Sequence, residues 1–144
     1  MFFDDFTMDA TFITDGRTIT EADIAAFALL SGDFNPIHMD AEYAKASQFG
    51  QRIAHGLLVL SISSGLTVKS GLTSDSVIAF YGIDKLRFTK PVFVGDTIKV
   101  KSRVVELSSK ETKGVVVFET RVFKQNGEEV LIFTKSMLLK RNTQ

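Results

Sequence analysis

The sequence predicts an α+β fold in which an antiparallel sheet wraps one long buried helix. Helical patterns fill the first half of the chain, and several long strands joined by short connections follow Gly71. That order is typical of an antiparallel sheet, because alternating strand–helix–strand units would interleave the two patterns. The run of apolar and small residues at 56–68 has no wide charged face, which indicates a helix buried on nearly all sides. Few other helices are present to cover it, so the sheet is expected to do so.

Length and composition indicate a single domain over residues 1–144. The 17 basic and 17 acidic residues balance, so nothing indicates the clustered positive charge that nucleic acids or anionic membranes attract. The absence of cysteine excludes disulfides, thiolate metal ligands and a cysteine nucleophile. The N-terminal residues lack the pattern of a secretory signal, and every apolar run is too short to span a bilayer. We therefore expect a soluble cytoplasmic protein.

The first helix is predicted from its two end signals. Residues 1–19 are expected to be irregular apart from a short strand near 10–13. Thr20 followed by Asp23 resembles a capping box in which Asp replaces the usual Glu, and Gly32 is a plausible stop. Apolar residues recur between these signals at helical spacing: Ile24, Phe27, Ala28 and Leu30.

A loop and a short helix are predicted between this helix and the long one. Pro36 disfavours helix at Asn35, which should be extended. Asp40 is a good N-cap for a short helix over residues 41–46. Residues 48–52 are expected to form a loop that leads into the long helix.

Strands are predicted at residues 77–88, 97–107, 115–124 and 130–140. Gly82 is a candidate bulge in the first of them. The Asn126–Gly127 dipeptide predicts a tight turn, so the last two strands should form a hairpin. A strand at 57–62 is an alternative to the long helix, but the length and the serine and glycine content of that segment favour helix.

Asp33 and His38 form the first candidate site. Asp33 lies just beyond a predicted helix end, and Pro36 stiffens the loop between the two residues. A carboxylate and an imidazole that share one water form a competent acid–base pair, and histidine suits the task because its pKa lies near neutrality. By itself the spacing is weak evidence, because an aspartate after a helix often only forms a turn and a lone histidine more often makes structural hydrogen bonds.

Gly56 is the second candidate, because it opens the long helix. The first N–H groups of a helix have no partner within it, so this amide can hold a carbonyl oxygen that gains negative charge. The alternative is a glycine that permits tight packing. His55 could cap the helix, pack or touch substrate, and a structural role is favoured. A metal site on His38 and His55 lacks any typical ligand spacing, so we expect no metal.

Two segments carry a resemblance to a known family. Residues 33–40 read D-F-N-P-I-H-M-D and are followed at 49–58 by F-G-Q-R-I-A-H-G-L-L, and residues 86–98 read L-R-F-T-K-P-V-F-V-G-D-T-I. Together they resemble the MaoC-like family of (R)-specific enoyl-CoA hydratases and dehydratases. The resemblance covers nearly the whole chain, with no departure at the motif positions. It implies a hot-dog fold, in which a strongly curved antiparallel sheet wraps a long helix.

The resemblance also implies a site and a reaction. The family's catalytic pair falls on Asp33 and His38, and its thioester-binding amide falls on Gly56. Asn35 and His55 are further candidates for contact with substrate. The implied reaction is the reversible syn addition of water to a trans-2-enoyl thioester, which gives an (R)-3-hydroxyacyl thioester without a cofactor. A homodimer with two sites near its interface is implied as well.

Other functions remain compatible with the sequence. The substrate carrier can be CoA or acyl carrier protein, so an (R)-3-hydroxyacyl-ACP dehydratase of fatty acid synthesis is one alternative. A hot-dog acyl-CoA thioesterase normally lacks the D-x-N-P-x-H loop, and a non-catalytic subunit that binds acyl thioesters would have lost the dyad. Either Asp33 or His38 could remove the proton from water, because groups that share a proton titrate jointly.

Overall fold

A computed structural model describes residues 1–142 of the chain, in which helices precede long strands as predicted. The helices are α1 (Glu21–Ser31), α2 (Pro36–Met39), α3 (Ala41–Lys45) and α4 (Gly56–Lys69). The strands are β1 (Thr11–Ile13), β2 (Arg17–Thr18), β3 (Val77–Phe88), β4 (Thr97–Ser109), β5 (Lys113–Lys124) and β6 (Glu129–Lys140). A 3₁₀ turn at Phe3–Asp5 precedes them.

The strands form one antiparallel sheet in the order β1–β4–β5–β6–β3, with β2 also paired to β4. The Asn126–Gly127 turn joins β5 to β6, and Gly127 takes a φ of 84°, which glycine adopts without strain. The register of β3 on β6 shifts between Phe80 and Gly82, which confirms the predicted bulge. Within the described chain β3 pairs only with β6, so its other edge is open.

Helix α1 begins and ends where the sequence predicts. The Thr20 hydroxyl accepts a hydrogen bond from the Asp23 N–H at 3.2 Å, and the Asp23 carboxylate accepts one from the Thr20 N–H at 2.8 Å. This capping box satisfies two N–H groups that a helix start leaves unpaired. Gly32 takes a left-handed φ of 77° and donates to the Ala28 carbonyl. Asp33 therefore follows directly after the capped end of α1, which fixes its position.

Helix α2 was not predicted from the sequence, which indicated a loop at this place. Pro36 occupies its first position, where the missing N–H would have had no partner. The Asn35 side chain accepts a hydrogen bond from the backbone two residues later and caps the helix. Asp40 caps α3 in the same way, as predicted. His38 consequently lies on a short helix instead of in the predicted loop.

Helix α4 coincides with the predicted long helix, so the alternative of a strand at 57–62 is wrong. The prediction that this helix is buried on nearly all sides is also wrong. Leu58 and Val59 are buried, but Leu57 is 56% exposed and Val68 is 70% exposed. A single sheet covers one side of α4 and leaves the opposite face open. No helix within residues 1–142 has the length and apolar character needed to cross a membrane.

The main core lies between α1, α4 and the inner face of the sheet. It includes Ile24 of α1, Leu58 of α4 and Leu131 of β6. Strand β4 alternates as predicted, with one face buried at Ile98, Val100 and Val104 and the other exposed at Lys99, Lys101 and Arg103. Burial of such side chains is the main force that holds the sheet on α4.

Candidate active site

Backbone groups at the end of α1 orient the Asp33 carboxylate. The Asp33 N–H donates to the Ser31 hydroxyl at 3.1 Å, and Asp33 Oδ1 accepts from the Asn35 N–H at 3.2 Å. The second contact is an Asx turn, which aspartate forms because its short side chain reaches the backbone two residues on. Asp33 is exposed, and Oδ2 accepts no hydrogen bond from residues 1–142. That oxygen is free to bind a water.

His38 is held in one tautomer by a backbone carbonyl. The ring is 9% exposed, and its Nδ1 lies 2.7 Å from the Ile53 carbonyl oxygen. A carbonyl oxygen can only accept, so Nδ1 must carry the hydrogen of this bond. The neutral ring therefore has its lone pair on Nε2, which can accept a proton.

His55 supports both Asp33 and His38, the two members of the candidate dyad. Its ring stacks on that of His38 with centroids 3.9 Å apart and planes inclined by 29°. Its Nε2 donates to the Asp33 carbonyl oxygen at 2.9 Å. The ring is 2% exposed, and Phe27 packs against it at 4.9 Å between centroids. His55 thus fixes the position of Asp33 and His38, which is the structural role that the sequence favours.

The surroundings of His38 lower its pKa. Burial is the largest cause, because a charged imidazolium loses its hydration there, and the nearby His55 adds to the effect. The hydrogen bond to the Ile53 carbonyl and the charge of Asp33 oppose it. His38 is therefore neutral at physiological pH and able to act as a base.

One carboxylate oxygen of Asp33 and one ring nitrogen each of His38 and His55 lie within 4.8 Å of one another. The structure thus brings together the pair that the sequence singled out. A separation of this size suits a single water that hydrogen-bonds to both groups. His38 Nδ1 and His55 Nε2 are each hydrogen-bonded to a backbone carbonyl oxygen, so only the other nitrogen of each ring is left for a further contact.

Gly56 is the first residue of α4, and its N–H has no acceptor within residues 1–142. The positive end of the helix dipole lies behind this amide, so it is a ready donor to a developing oxyanion. A side chain here would collide with Phe88, because a Cβ would lie 2.6 Å from two ring carbons. Glycine is thus required for the approach of Phe88 to the helix start.

A cleft of about 380 Å³ opens beside Gly56. Its walls are mostly apolar, with Phe49 and Phe88 prominent, and Lys90 is its basic residue. Asp33 and His38 do not line it, but Ile53, whose carbonyl holds His38, does. The dyad and the cleft therefore flank the same short segment at the start of α4.

Ile53 is a contributor that sequence reasoning missed. Its carbonyl sets the tautomer of His38, and every residue type carries a carbonyl, so no side-chain signal marks it. Asn35 is engaged as the cap of α2 through its Oδ1. Its expected contact with substrate stays a prediction, as does that of His55.

The chain is similar in sequence to known proteins. A family model described as the MaoC like domain matches residues 5–126. The chain is 40% identical over 106 residues to the (R)-specific enoyl-CoA hydratase of Aeromonas caviae, which covers 74% of this chain and 75% of that protein. It is 45% identical over 100 residues to Protein MaoC of Klebsiella aerogenes. That match covers 69% of this chain but spans only 29% of the longer Klebsiella protein.

Solved structures share the architecture. A monoamine oxidase regulatory protein from Archaeoglobus superposes with a TM-score of 0.92 at 41% identity, covering 99% of this chain and 96% of that one. A Mycobacterium tuberculosis protein with a double hot-dog fold superposes with a TM-score of 0.89 at 23% identity, covering all of this chain and 45% of that one. The second likeness concerns the fold alone. Together they confirm the predicted hot-dog fold.

Proposed function

The chain belongs to the MaoC-like domain family, and we propose that it is an (R)-specific enoyl-CoA hydratase. One observation carries the proposal. The Asp33 carboxylate and the His38 ring lie within 4.8 Å of each other, next to a helix start whose Gly56 N–H has no partner in residues 1–142. An acid–base pair for water and a donor for a thioester oxygen are the two groups that hydration of an enoyl thioester needs.

The substrate carbonyl would bind at Gly56. A trans-2-enoyl thioester is conjugated, so a hydrogen bond to its carbonyl oxygen withdraws electrons from C3 and makes that carbon electrophilic. The bond strengthens as water attacks, because negative charge accumulates on the oxygen. Loss of one such donor typically costs on the order of 3 kcal/mol of transition-state stabilisation, or about 100-fold in rate.

Water would lie between Asp33 and His38. Asp33 Oδ2 accepts one hydrogen bond from the water and orients it, while His38 Nε2 removes a proton as the oxygen bonds to C3. The electron pair of the C2–C3 double bond moves toward C2 as the enolate forms. His38 then returns its proton to C2, so that one molecule of water has been added and the enzyme is unchanged.

The tautomer of His38 favours histidine over aspartate as the proton carrier. Its Nδ1–H is committed to the Ile53 carbonyl at 2.7 Å, so Nε2 is the acceptor of the neutral ring. Because the same nitrogen would take and return the proton, both new bonds form on one face of the double bond, which is a syn addition. The reverse path dehydrates an (R)-3-hydroxyacyl thioester, on CoA or on acyl carrier protein.

A homodimer forms part of the proposal, because the site of one chain is incompletely enclosed. Apolar side chains around it are half exposed or more: Phe34 at 52%, Leu57 at 56% and Phe88 at 51%. The open edge of β3 adds Phe80 at 48% and Tyr81 at 56% exposure. A patch of this kind beside an open strand edge is typical of an interface. A second copy that pairs its own β3 there would extend the sheet.

Crotonyl-CoA hydration tests the function. Asp33→Asn and His38→Ala should each lower kcat by about 100- to 10,000-fold, the range that general acid–base groups supply. Loss of enoyl absorbance measures the rate, and circular dichroism checks that each variant is folded. Asp15→Asn is the matched control, because it removes an exposed carboxylate remote in sequence from the dyad and should leave the rate unchanged.

Near-normal rates in either dyad variant would contradict the assignment. A thiol assay on the same reactions separates hydration from thioester hydrolysis, because only hydrolysis releases free CoA. Rapid thiol release by the wild type would instead favour a thioesterase.

A further inference from the structure

Lys135 is a buried lysine to which the proposed reaction gives no task. Side chains alternate along β6, and Phe133, Lys135 and Met137 share the face that turns toward α4. Lys135 is only 6% exposed. Burial of an ammonium group is costly unless a partner compensates its charge, so this position calls for an explanation.

The contrast with Lys124 makes the position unusual. Lys124 is also buried, but its Nζ lies 2.9 Å from the Asp96 carboxylate and 2.9 Å from the Pro91 carbonyl oxygen. Lys135 forms neither an ion pair nor a hydrogen bond with any group in residues 1–142, and its Nζ only lies over the Phe118 ring at 5.6 Å. Burial lowers the pKa of Lys135 to about 8, so it is still mostly charged at neutral pH.

Two adjoining cavities, of about 370 and 230 Å³, meet at this ammonium between α4 and the sheet. Both are lined by Lys135, Ser64, Thr67 and Phe80. The larger one also has apolar walls from Leu60, Ile83 and Phe133. A largely apolar space with one cation and several hydroxyl groups suits an aliphatic chain that carries an anionic oxygen group.

Helix α4 runs from Gly56 at the proposed reaction centre to Ser64 and Thr67 in the wall of this space. At a rise of ~1.5 Å per residue, Leu60 lies about 6 Å and Ser64 about 12 Å along the helix from Gly56. An acyl chain that is held at the Gly56 N–H and follows α4 would bring its far end to Lys135. This step rests on the proposed function, whereas the cavity and its unpaired ammonium do not.

We propose that the Lys135 cavity binds a carboxylate, and that the preferred substrates are enoyl thioesters whose acyl chain ends in a carboxylate. A carboxylate would supply the acceptor that Lys135 lacks. A chain that ends in a methyl group would leave the ammonium desolvated and unpaired, so the cavity discriminates against it. Lys135 is thus a specificity-determining residue.

Binding of two simple probes tests the cavity without any catalysis. Octanoate and octanamide have the same shape, but only octanoate carries a charge. Calorimetry should show octanoate binding at least about tenfold tighter to the wild type, because a hydrogen bond to a charged group is worth that much or more. Lys135→Met should remove the preference for octanoate. Lys140→Met, at an exposed position of the same strand, should keep it.

Kinetics test the substrate class. The wild type should hydrate trans-2-octenedioyl-CoA with a kcat/KM at least about tenfold above that for trans-2-octenoyl-CoA. Lys135→Met should reverse this order by raising KM for the dicarboxylic substrate. Equal use of both substrates by the wild type, with no change in Lys135→Met, would overturn the inference and leave the hydratase assignment standing.

The two proposals can fail separately. If neither thioester is hydrated, the hydratase assignment fails, and the octanoate preference still decides whether Lys135 binds a carboxylate. If octanoate and octanamide bind the wild type equally, the carboxylate site is refuted, whatever the kinetics show. A carboxylate of a second copy bound to Lys135 in a crystal of the dimer would also refute it.

Discussion

His38 shows how neighbouring groups set the properties of a single side chain. The Ile53 carbonyl fixes its tautomer, His55 stacks on its face, and burial lowers its pKa. A base is useful only while it is unprotonated, so a lowered pKa extends the working range toward acid. The residues around His38 therefore set the pH range of the proposed reaction.

The pH profile of kcat/KM for crotonyl-CoA should reflect this. We expect its acid limb to lie below pH 6.5, the ordinary pKa of histidine, because burial favours the neutral ring. Rates measured between pH 4 and 8, with the folded fraction checked at each point, provide the test. His55→Phe keeps the ring stack but removes a titratable neighbour, so the limb should move toward higher pH. An acid limb above 6.5 in the wild type would contradict the assignment of His38 as the base.

The buried Lys135 should make the stability of the folded protein depend on pH. Its folded-state pKa of about 8 lies below its ordinary value of 10.5, so between these values the unfolded chain binds more protons. Stability of the wild type should therefore rise as pH increases from about 8 to 10.5. Lys135→Met removes the cost of burying the charge and should stabilise the protein at pH 7 by about 1–3 kcal/mol.

Urea unfolding of Lys135→Met and the wild type measures this difference. The gain should shrink as pH rises through the same range, because the wild-type lysine then becomes neutral. Lys140→Met, which is exposed, should change little at any pH. A loss of stability in Lys135→Met at pH 7 would indicate that the ammonium has a partner, for instance in a second copy of the chain.

At the scale of elements, the start of α4 combines an N–H donor with close packing of β3. A Cβ on Gly56 would lie 2.6 Å from the Phe88 ring, which is half exposed and able to move. Gly56→Ala should therefore displace the ring into the cleft and lower kcat/KM on the order of 100-fold, as small misplacements in active sites do.

A double variant identifies the cause. If the collision with Phe88 is responsible, adding Gly56→Ala to Phe88→Ala should cost little. The kcat/KM of the double variant should then be close to that of Phe88→Ala alone. If the methyl group itself blocks the thioester, the double variant should stay as slow as Gly56→Ala. Thermal unfolding of all three variants serves as the check that α4 still forms.

At the scale of the whole molecule, the sheet edge formed by β3 and the neighbouring apolar face of α4 are exposed to solvent. Among residues 1–142 one edge of strand β3 is unpaired, and the adjacent face of α4 exposes Leu57 and Val68. Unpaired strand edges attract further strands, and exposed apolar faces gain by burial. We expect the protein to dimerise through this side.

Light scattering after size exclusion tests the interface. The double variant Ile78→Lys with Tyr81→Lys places two charges on exposed positions of β3 and should yield a monomer that has lost hydration activity. Ile13→Lys, also exposed but on β1 at the opposite edge of the sheet, is the matched control and should remain a dimer. A wild type that is monomeric at micromolar concentration would refute the interface.

Much of the fold could be predicted from the sequence, because its signals are local. The capping box at Thr20, the left-handed Gly32 and the Asn126–Gly127 turn depend on residues within a few positions of one another. The alternation of buried and exposed side chains along β4 likewise depends only on the two-residue period of a β-strand. The sequence also singled out Asp33 and His38 as a candidate pair, and the structure brings a carboxylate oxygen and a ring nitrogen of the two residues within 4.8 Å.

Tertiary structure decided what depends on contacts between distant parts of the chain. His38 is hydrogen-bonded to a backbone carbonyl 15 residues away in the sequence, and His55 is hydrogen-bonded to one 22 residues away. The sequence by itself determined the order of the elements, the candidate pair Asp33 and His38, and the glycine at the helix start. The tautomer of His38, the open face of α4 and the unpaired ammonium of Lys135 required the folded chain, because each depends on which surfaces the path of the backbone brings together and which it leaves uncovered.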